Sequence, residues 1–102
     1  MTQIRSLQKQ VWKNKLVKGF NTTNVNQEFN CLYGEVAEAF DAWHKKTESV
    51  SSELADIVIY TMTLATMLGI DLEEAVHAKV VLNEKREYVM ENGVLVKKQE
   101  DI

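Results

Sequence analysis

Two acidic tetrads contain the residues of this sequence whose types and spacing could do chemistry. They are Glu35-Val36-Ala37-Glu38 and Glu53-Leu54-Ala55-Asp56, and the two acids of each tetrad are three positions apart. Residues at that spacing share one face of an α-helix, so each tetrad directs two carboxylates the same way. Four carboxylates between packed helices repel one another and lose hydration unless cations lie among them. Oxygen ligands suit Mg²⁺ or Mn²⁺ better than zinc. The pattern predicts a metal-dependent enzyme that acts on phosphates.

The surroundings of the tetrads favour a site over ordinary solvated acids, which are common near helix starts. On a helical projection Glu35 lies inside an apolar arc between Leu32 and Ala39, and Glu53 begins an apolar row that continues at Ile57. The two predicted helices are consecutive and joined by a short loop, which makes them antiparallel neighbours. We therefore expect four metal ligands to meet there, namely Glu35, Glu38, Glu53 and Asp56.

A later helix carries the complementary charge. Lys79, Asn83 and Arg86 follow one another at spacings of four and three, so they share a face. A lysine point charge, an amide and a guanidinium fork together suit a triphosphate chain. Taken alone, the same three residues fit a solvated helix face better than a phosphate site.

Composition bounds the class of protein. The 102 residues fit one small domain, 1–102, with a formal net charge of −3 and no basic stripe for nucleic acid. A single cysteine, Cys31, excludes an internal disulfide and a Cys-rich zinc site. The start, residues 1–5, lacks a signal-peptide pattern, and the longest uncharged stretch, residues 57–70, is too short and too polar to span a bilayer. We expect a cytoplasmic protein without membrane or nucleic-acid partners.

Apolar periodicity predicts an all-α four-helix bundle. The four helices are expected from about Gln3 to Lys18, Asn26 to Lys46, Ser51 or Ser52 to Leu68, and Asp71 to Tyr88. Asp71 and Glu74 resemble a capping box at the start of the last helix. Residues 89–102 fit either a frayed tail or a small hairpin that turns at Asn92-Gly93.

The third helix predicts self-association. From Ile57 to Leu68 its residues are apolar or threonine on every side, which is the pattern of a helix buried all round. Three other short helices can hardly enclose it, so we expect a homodimer or a dimer of dimers. A monomeric bundle with one apolar face is the alternative.

These motifs together resemble the MazG-like all-α nucleoside triphosphate pyrophosphohydrolases, relatives of deoxycytidine triphosphate pyrophosphatases and dimeric dUTPases. That family has an ExxE motif, a gap, an ExxD motif, and then Lys, Asn and Arg on a later helix. The chain supplies Glu35 to Glu38, a gap of 14 residues, Glu53 to Asp56, and the three residues of the later helix. The resemblance spans about residues 10–88. Many members carry a further acidic pair where this chain has Cys31 and Leu32, which places it nearer the dCTPase-like branch and leaves open a third metal ion.

The resemblance implies hydrolysis of a nucleoside triphosphate to the monophosphate and pyrophosphate. The four tetrad acids would hold Mg²⁺ or Mn²⁺ with Asn83, and Glu35 or Glu38 would also accept the proton of the attacking water. Lys79 and Arg86 would steady the leaving pyrophosphate. The favoured substrate is dCTP or another canonical dNTP. Base or sugar contacts would come from aromatic residues and from a polar pair on the first helix, namely Tyr60, Trp43, Trp12, Phe20, Asn14 and Lys15. A packed core is the alternative for each aromatic residue, and it fits Tyr60 equally well and Trp12 better than a site does.

Two other functions fit parts of the pattern. Di-iron four-helix proteins use ExxH pairs, and Glu74 to His77 and Asp41 to His44 have that spacing, although they lie at helix ends rather than in the middle. A module that binds nucleotides or other proteins without catalysis is the second alternative, and an intact acidic quartet argues against it.

Overall fold

The computed structural model describes residues 3–98 and contains four helices followed by a two-stranded hairpin. The bounds are α1 Ile4–Lys18, α2 Val25–His44, α3 Val50–Met67, α4 Leu72–Lys85, β1 Tyr88–Glu91 and β2 Val94–Lys97. The predicted all-α class and the four helices are confirmed. Residues 99–102, part of the segment predicted as a tail or hairpin, lie outside the described range, as do residues 1–2.

Helix α3 is the centre of the bundle. It packs along α2 and also against α1, while α4 packs mainly on α1. The buried apolar side chains come from α2 and α3, and they are Ala39, Ala42, Met62, Leu64 and Ala65. The small alanines let the two helices approach closely, and this places the acidic tetrads of α2 and α3 side by side.

Local sequence explains most helix boundaries. The Asn24 side chain caps α2 by accepting a hydrogen bond from the Gln27 amide at 3.0 Å, and Asp71 caps α4 by accepting from the Glu74 amide at 3.3 Å. Gly19 ends α1 in the left-handed conformation with a φ of 72°. The predicted start of α3 at Ser51 or Ser52 is wrong by a few residues, because Ser49 occupies the N-cap position.

The predicted end of α4 near Tyr88 is also wrong. The helix stops at Lys85 and Arg86 is already extended, with a ψ of 138°. The residues beyond it pair as an antiparallel hairpin, in which Tyr88 lies opposite Lys97 and Glu91 opposite Val94. Asn92 and Gly93 make the turn with φ angles of 50° and 78°, which asparagine and glycine tolerate best. Residue 88 therefore belongs to strand β1 of the hairpin and not to helix α4.

One chain does not enclose α3. Residues 62–65 are buried, but Val58 is 51% exposed and Leu68 is 50% exposed. On α2, Phe40 and Trp43 are also largely exposed, at 62% and 64%. The predicted oligomer stays a prediction, and these exposed residues are where a second copy of the chain would pack.

Among the described residues, no single helix combines the length and apolar composition needed to cross a membrane. Helices α3 and α4 meet that test only when taken together, and their axes are bent by 110° at the junction.

Candidate metal centre and adjoining cavity

Three of the four acidic residues predicted as metal ligands meet between α2 and α3. Glu35, Glu38 and Glu53 each offer one carboxylate oxygen, and these oxygens lie within 4.8 Å of one another. Glu35 and Glu38 are one turn apart on α2, and Glu53 projects from the first turn of α3. Asp56 is outside that distance but close enough for its charge to act on both Glu35 and Glu53. The i, i+3 spacing within each helix and the packing of the two helices together build this acidic cluster.

The electrostatics of the acidic cluster are unfavourable without a cation. Burial raises the pKa of Glu35, and the negative charges of Glu38, Asp56 and Glu53 raise it further. The pKa of Glu53 is raised in the same way, by desolvation first and then by Glu38 and Asp56. Every charged group that shifts these two pKa values is another acid. Among the described residues, no lysine or arginine is among the groups that shift the pKa of Glu35 or Glu53.

One atom of the acidic cluster lacks a partner. Oxygen Oε2 of Glu35 is buried and has no hydrogen-bond partner within the described part of the chain. A buried carboxylate oxygen without a donor is costly, and natural proteins seldom keep one without an ion or water. Oxygen donors from several carboxylates are the ligand set that Mg²⁺ and Mn²⁺ prefer. The residues present therefore fit a divalent cation.

A cavity of about 320 Å³ adjoins the acidic cluster. Tyr60 and Cys31 link the two, since Tyr60 follows Asp56 by one turn on α3 and Cys31 precedes Glu35 by one turn on α2. Burial raises the pKa of the Tyr60 hydroxyl, and the charges of Cys31, Glu35, Glu28 and Asp56 raise it further. The cavity is lined by Val11, Asn14, Lys15, Phe20, Asn21, Gln27, Glu28, Cys31, Ile59, Tyr60 and Thr63.

The cavity gathers four of the six residues predicted to contact base or sugar, namely Asn14, Lys15, Phe20 and Tyr60. Trp12 and Trp43 do not line it. Trp12 is half-buried on α1, whereas Trp43 lies at the far end of α2 beside Phe40, with ring centroids 6.1 Å apart, and lines a separate cavity with His44. The positions of the two tryptophans on their helices were compatible with base contacts, but within one chain neither side chain lines this cavity.

Sequence reasoning missed a buried ion pair in the wall of the cavity. Glu28 is 1% exposed, and its Oε2 accepts hydrogen bonds of 2.6 Å from both Lys15 Nζ and Thr63 Oγ1. Its Oε1 accepts a third bond, of 3.2 Å, from Asn21 Nδ2. Burial alone would raise the pKa of Glu28, but these hydrogen bonds lower it below the usual value. A signal was present, because Glu28 precedes Glu35 by seven residues and so lies on almost the same helix face.

The predicted phosphate-binding residues lie on α4 or just after it, whereas the acidic cluster lies on α2 and α3. Lys79 and Asn83 are exposed on α4, which packs mainly on α1. Arg86 lies just beyond the helix and donates a hydrogen bond from Nη1 to Asn83 Oδ1 at 3.0 Å. Neither Lys79 nor Arg86 is among the groups that shift the pKa of Glu35 or Glu53. Their role, and that of Asn83 as a ligand, stays a prediction.

The histidines do not support a di-iron centre. His44 and His77 are both exposed, and the one potential metal-binding group in the described range contains only glutamates. The ExxH spacing at the ends of α2 and α4 therefore has no metal-site geometry behind it.

The fold and the acidic cluster define a class, that of all-α proteins in which carboxylates on two neighbouring helices form a metal-type site beside a cavity. Residues 30–102 match the MazG-like family, and the chain belongs to that family. The predicted family resemblance is thus confirmed.

Two relatives from Cyanophage S-2L are similar to this chain. One is a dATP/dGTP diphosphohydrolase, 41% identical over 44 residues; the matched segment is 42% of this chain and 42% of the relative, so the chain spans under half of the relative's length. The other is a solved structure of a MazG-like pyrophosphohydrolase bound to dGDP and three catalytic Mn²⁺ ions per active site. It has a TM-score of 0.67 and 22% identity, and the match covers 97% of this chain and 100% of that one. That likeness establishes a shared fold.

Proposed function

We propose that this protein hydrolyses deoxynucleoside triphosphates to the monophosphate and pyrophosphate in a reaction that requires Mg²⁺ or Mn²⁺. The observation that carries the proposal is the acidic cluster, with its unpartnered Glu35 oxygen, at the edge of a cavity of about 320 Å³. A volume of this order suits a small ligand such as a nucleoside. The activity named for one Cyanophage S-2L relative, and the dGDP and Mn²⁺ of the other, support the same conclusion.

The residues that would hold the ions are Glu35, Glu38, Glu53 and Asp56, and Asn83 is proposed to complete the set. Divalent ions supply charge neutralisation on the phosphates and acidify bound water. The chain's own contribution is to hold carboxylate oxygens close together in a partly desolvated place. Their mutual repulsion there would be relieved by a bound cation.

Glu35 or Glu38 is proposed as the general base. It accepts a proton from the attacking water, whose oxygen bonds to the α-phosphorus. The bond from that phosphorus to the oxygen bridging the β-phosphate breaks, and pyrophosphate leaves. Glu35 follows Cys31, a residue of the cavity wall, by one turn of α2, and this supports a role beside the phosphates of a nucleotide bound in the cavity.

Lys79 and Arg86 are proposed to hold the pyrophosphate from a second copy of the chain. Within one chain α4 packs mainly on α1, and neither residue is among the groups that shift the pKa of Glu35 or Glu53. The exposed apolar residues of α2 and α3 favour a homodimer or dimer of dimers, in which α4 of one copy can approach the site of another. A cytoplasmic location, where dNTP pools are present, remains part of the proposal.

The cavity is proposed to receive the base and the deoxyribose. Phe20 and Tyr60 offer aromatic surface for the base, and Asn14 and Lys15 offer polar contacts. An apolar wall leaves a ribose 2′-hydroxyl unpaired, which favours deoxynucleotides. The preference for dCTP stays a prediction; the name of the phage relative makes dATP and dGTP equally necessary as test substrates.

A pyrophosphate-release panel over all canonical dNTPs and NTPs, with Mg²⁺ or Mn²⁺, tests the proposal. Activity should be lost in Glu38→Gln and Asp56→Asn while circular dichroism stays unchanged, because each substitution removes one ligand and lessens internal repulsion. Glu48→Gln, an exposed acid in the α2–α3 connection, is the matched control and should retain activity. Binding of a dNTP without pyrophosphate release from any substrate would instead support the non-catalytic nucleotide-binding module.

A further inference from the structure

The buried ion pair of Lys15 and Glu28 joins four parts of the fold at the wall of the cavity. Lys15 comes from α1, Asn21 from the loop after it, Glu28 from α2 and Thr63 from α3. Lys15 and Glu28 are only 7% and 1% exposed. Burial of an ion pair seldom stabilises a protein more than a well-packed apolar pair would, so a pair kept in this position calls for a reason beyond stability.

An account of donors and acceptors shows which group of the network is available to a ligand. Both Glu28 oxygens already accept hydrogen bonds, two at Oε2 and one at Oε1. Asn21 is occupied as well, since its amide also donates to the Asn24 carbonyl at 2.8 Å and its Oδ1 accepts from the Asn24 amide at 3.0 Å. The single hydroxyl proton of Thr63 has acceptors in Glu28 and in the Tyr60 carbonyl.

Lys15 is different. Its ammonium has three N–H donors, and within the described residues its hydrogen-bond partner is Glu28 alone. The group lies 5.9 Å from the centre of the Tyr60 ring and lines the cavity. The Lys15 ammonium is therefore the group of the network with further N–H donors for a ligand, and it lies next to an aromatic surface suited to a base.

The charge of the pair indicates what kind of acceptor fits. Glu28 neutralises Lys15 at 2.6 Å, so a phosphate placed against the ammonium would also face a carboxylate just behind it. A neutral acceptor meets no such repulsion. The remaining walls are mainly apolar or aromatic, with Val11, Phe20, Ile59 and Tyr60, which favours a nucleobase over a phosphate. Among uncharged base atoms, carbonyl oxygens are strong acceptors, and guanine, cytosine and thymine carry them while adenine does not.

We propose that Glu28 is a positioning residue that holds the Lys15 ammonium in the cavity wall, where it donates a hydrogen bond to a carbonyl oxygen of the substrate's base. This inference rests on the proposed function, because it takes the cavity as the nucleoside site. Thr63 and Asn21 fix the Glu28 carboxylate in turn. The arrangement selects dNTPs whose base has a carbonyl group over dATP.

Lys15→Met tests the contact in two assays. The KM for dGTP should rise by about 10- to 100-fold, the effect expected for a lost hydrogen bond to a charged group, while the KM for dATP changes much less. Metal-free calorimetry on the same variant should show a fall in affinity for dGMP and a much smaller fall for dAMP. This readout does not need catalysis. Lys13→Met, an exposed lysine of α1 that does not line the cavity, is the matched control.

Glu28→Gln tests whether Glu28 acts through Lys15. The variant should shift the dGMP to dAMP affinity ratio in the same direction as Lys15→Met, and the double variant should bind no worse than Lys15→Met alone, because the two residues form one unit. Should Glu28→Gln fail to fold, Thr63→Val removes one of the two bonds at Oε2 and keeps the ion pair. It should produce a smaller shift of the same sign.

Equal losses for dGMP and dAMP in Lys15→Met, or additive effects in the double variant, would overturn the inference. So would variants that change only the melting temperature. Failure of the proposed function has a different signature, since the wild-type protein would then release no pyrophosphate from any dNTP, whatever its affinity for dGMP and dAMP.

Discussion

Replacing Glu35 by glutamine should stabilise the metal-free protein and weaken its response to divalent cations. Glu35 has a buried oxygen without a hydrogen-bond partner in the described residues, and a carboxylate oxygen of its acidic neighbour Glu38 lies within 4.8 Å of one of its own. Two unit charges at about that distance repel by about 1 kcal/mol even at the dielectric constant of water. Because the acidic cluster is only partly buried, we take this low value. In a domain of this size, 1 kcal/mol corresponds to about 4–8 °C in melting temperature.

Thermal unfolding followed by circular dichroism, at one protein concentration in EDTA and then with increasing Mn²⁺, measures both effects. Mn²⁺ at about 100 times its Kd would stabilise the wild-type protein by about 2.7 kcal/mol. The Glu35→Gln variant should start higher in EDTA and gain much less. Glu48→Gln, an exposed acid outside the acidic cluster, should follow the wild-type curve in both conditions.

The pH dependence gives the same prediction with a defined sign. Burial, followed by the neighbouring acids, raises the pKa of Glu35 above its usual value of 4.5, so its ionisation destabilises the folded state as pH rises through the raised pKa. The advantage of Glu35→Gln in EDTA should therefore shrink as pH falls through the raised pKa and vanish below 4.5, where Glu35 is protonated in both the folded and the unfolded state. A variant that melts below the wild type in EDTA at neutral pH, or responds fully to Mn²⁺, would refute the reasoning.

Three further predictions address the assembly, the phosphate-binding residues and the buried ion pair. Light scattering at micromolar concentration should give at least twice the chain mass of 11.7 kDa, since one chain leaves α2 and α3 uncovered, and a clean monomer would contradict this. Lys79→Ala and Arg86→Ala should each lower dNTP turnover by about 10²- to 10³-fold with little change in dNMP affinity, measured by steady-state kinetics and calorimetry; an equal fall in dNMP affinity would move both residues to the base or the fold. Although burial raises the pKa of Glu28, hydrogen bonds from Lys15, Thr63 and Asn21 bring it below 4.5. Its contribution to stability is therefore present above pH 4.5 and lost as pH falls through the lowered pKa, and urea unfolding at several pH values should show this loss in the wild type but not in Glu28→Gln.

Much of the fold could be predicted from local pattern. Helix periodicity depends on residues a few positions apart, and so do caps such as Asp71 and turns such as Asn92-Gly93. The same locality made the acidic cluster visible, because the spacing of Glu35 to Glu38 and of Glu53 to Asp56 already sets the direction of each side chain. The predicted end of α4 was wrong because the helical pattern of the sequence continues after Lys85, whereas in the structure residue 88 pairs with strand β2.

The cavity could be predicted only in part. Lys15 was identified through resemblance and Glu28 was overlooked, since an acid in the first turn of a helix is ordinarily solvated. What makes Glu28 special is that α1 and α3 cover it, and coverage involves residues 13 and 35 positions away. Trp43 shows the same limit, because its position on α2 was compatible with a base contact, whereas the structure places it beside a different cavity within one chain.

By itself, the sequence determined the helices, the direction of the acidic tetrads and the family to which the chain belongs. Only the tertiary structure decided that α1 closes the cavity over α2 and α3, and that α4 packs mainly on α1. The physical reason is the range of the interactions. A helix and its faces follow from neighbours within two turns, whereas the choice of packing partner depends on apolar surfaces and loops throughout the chain.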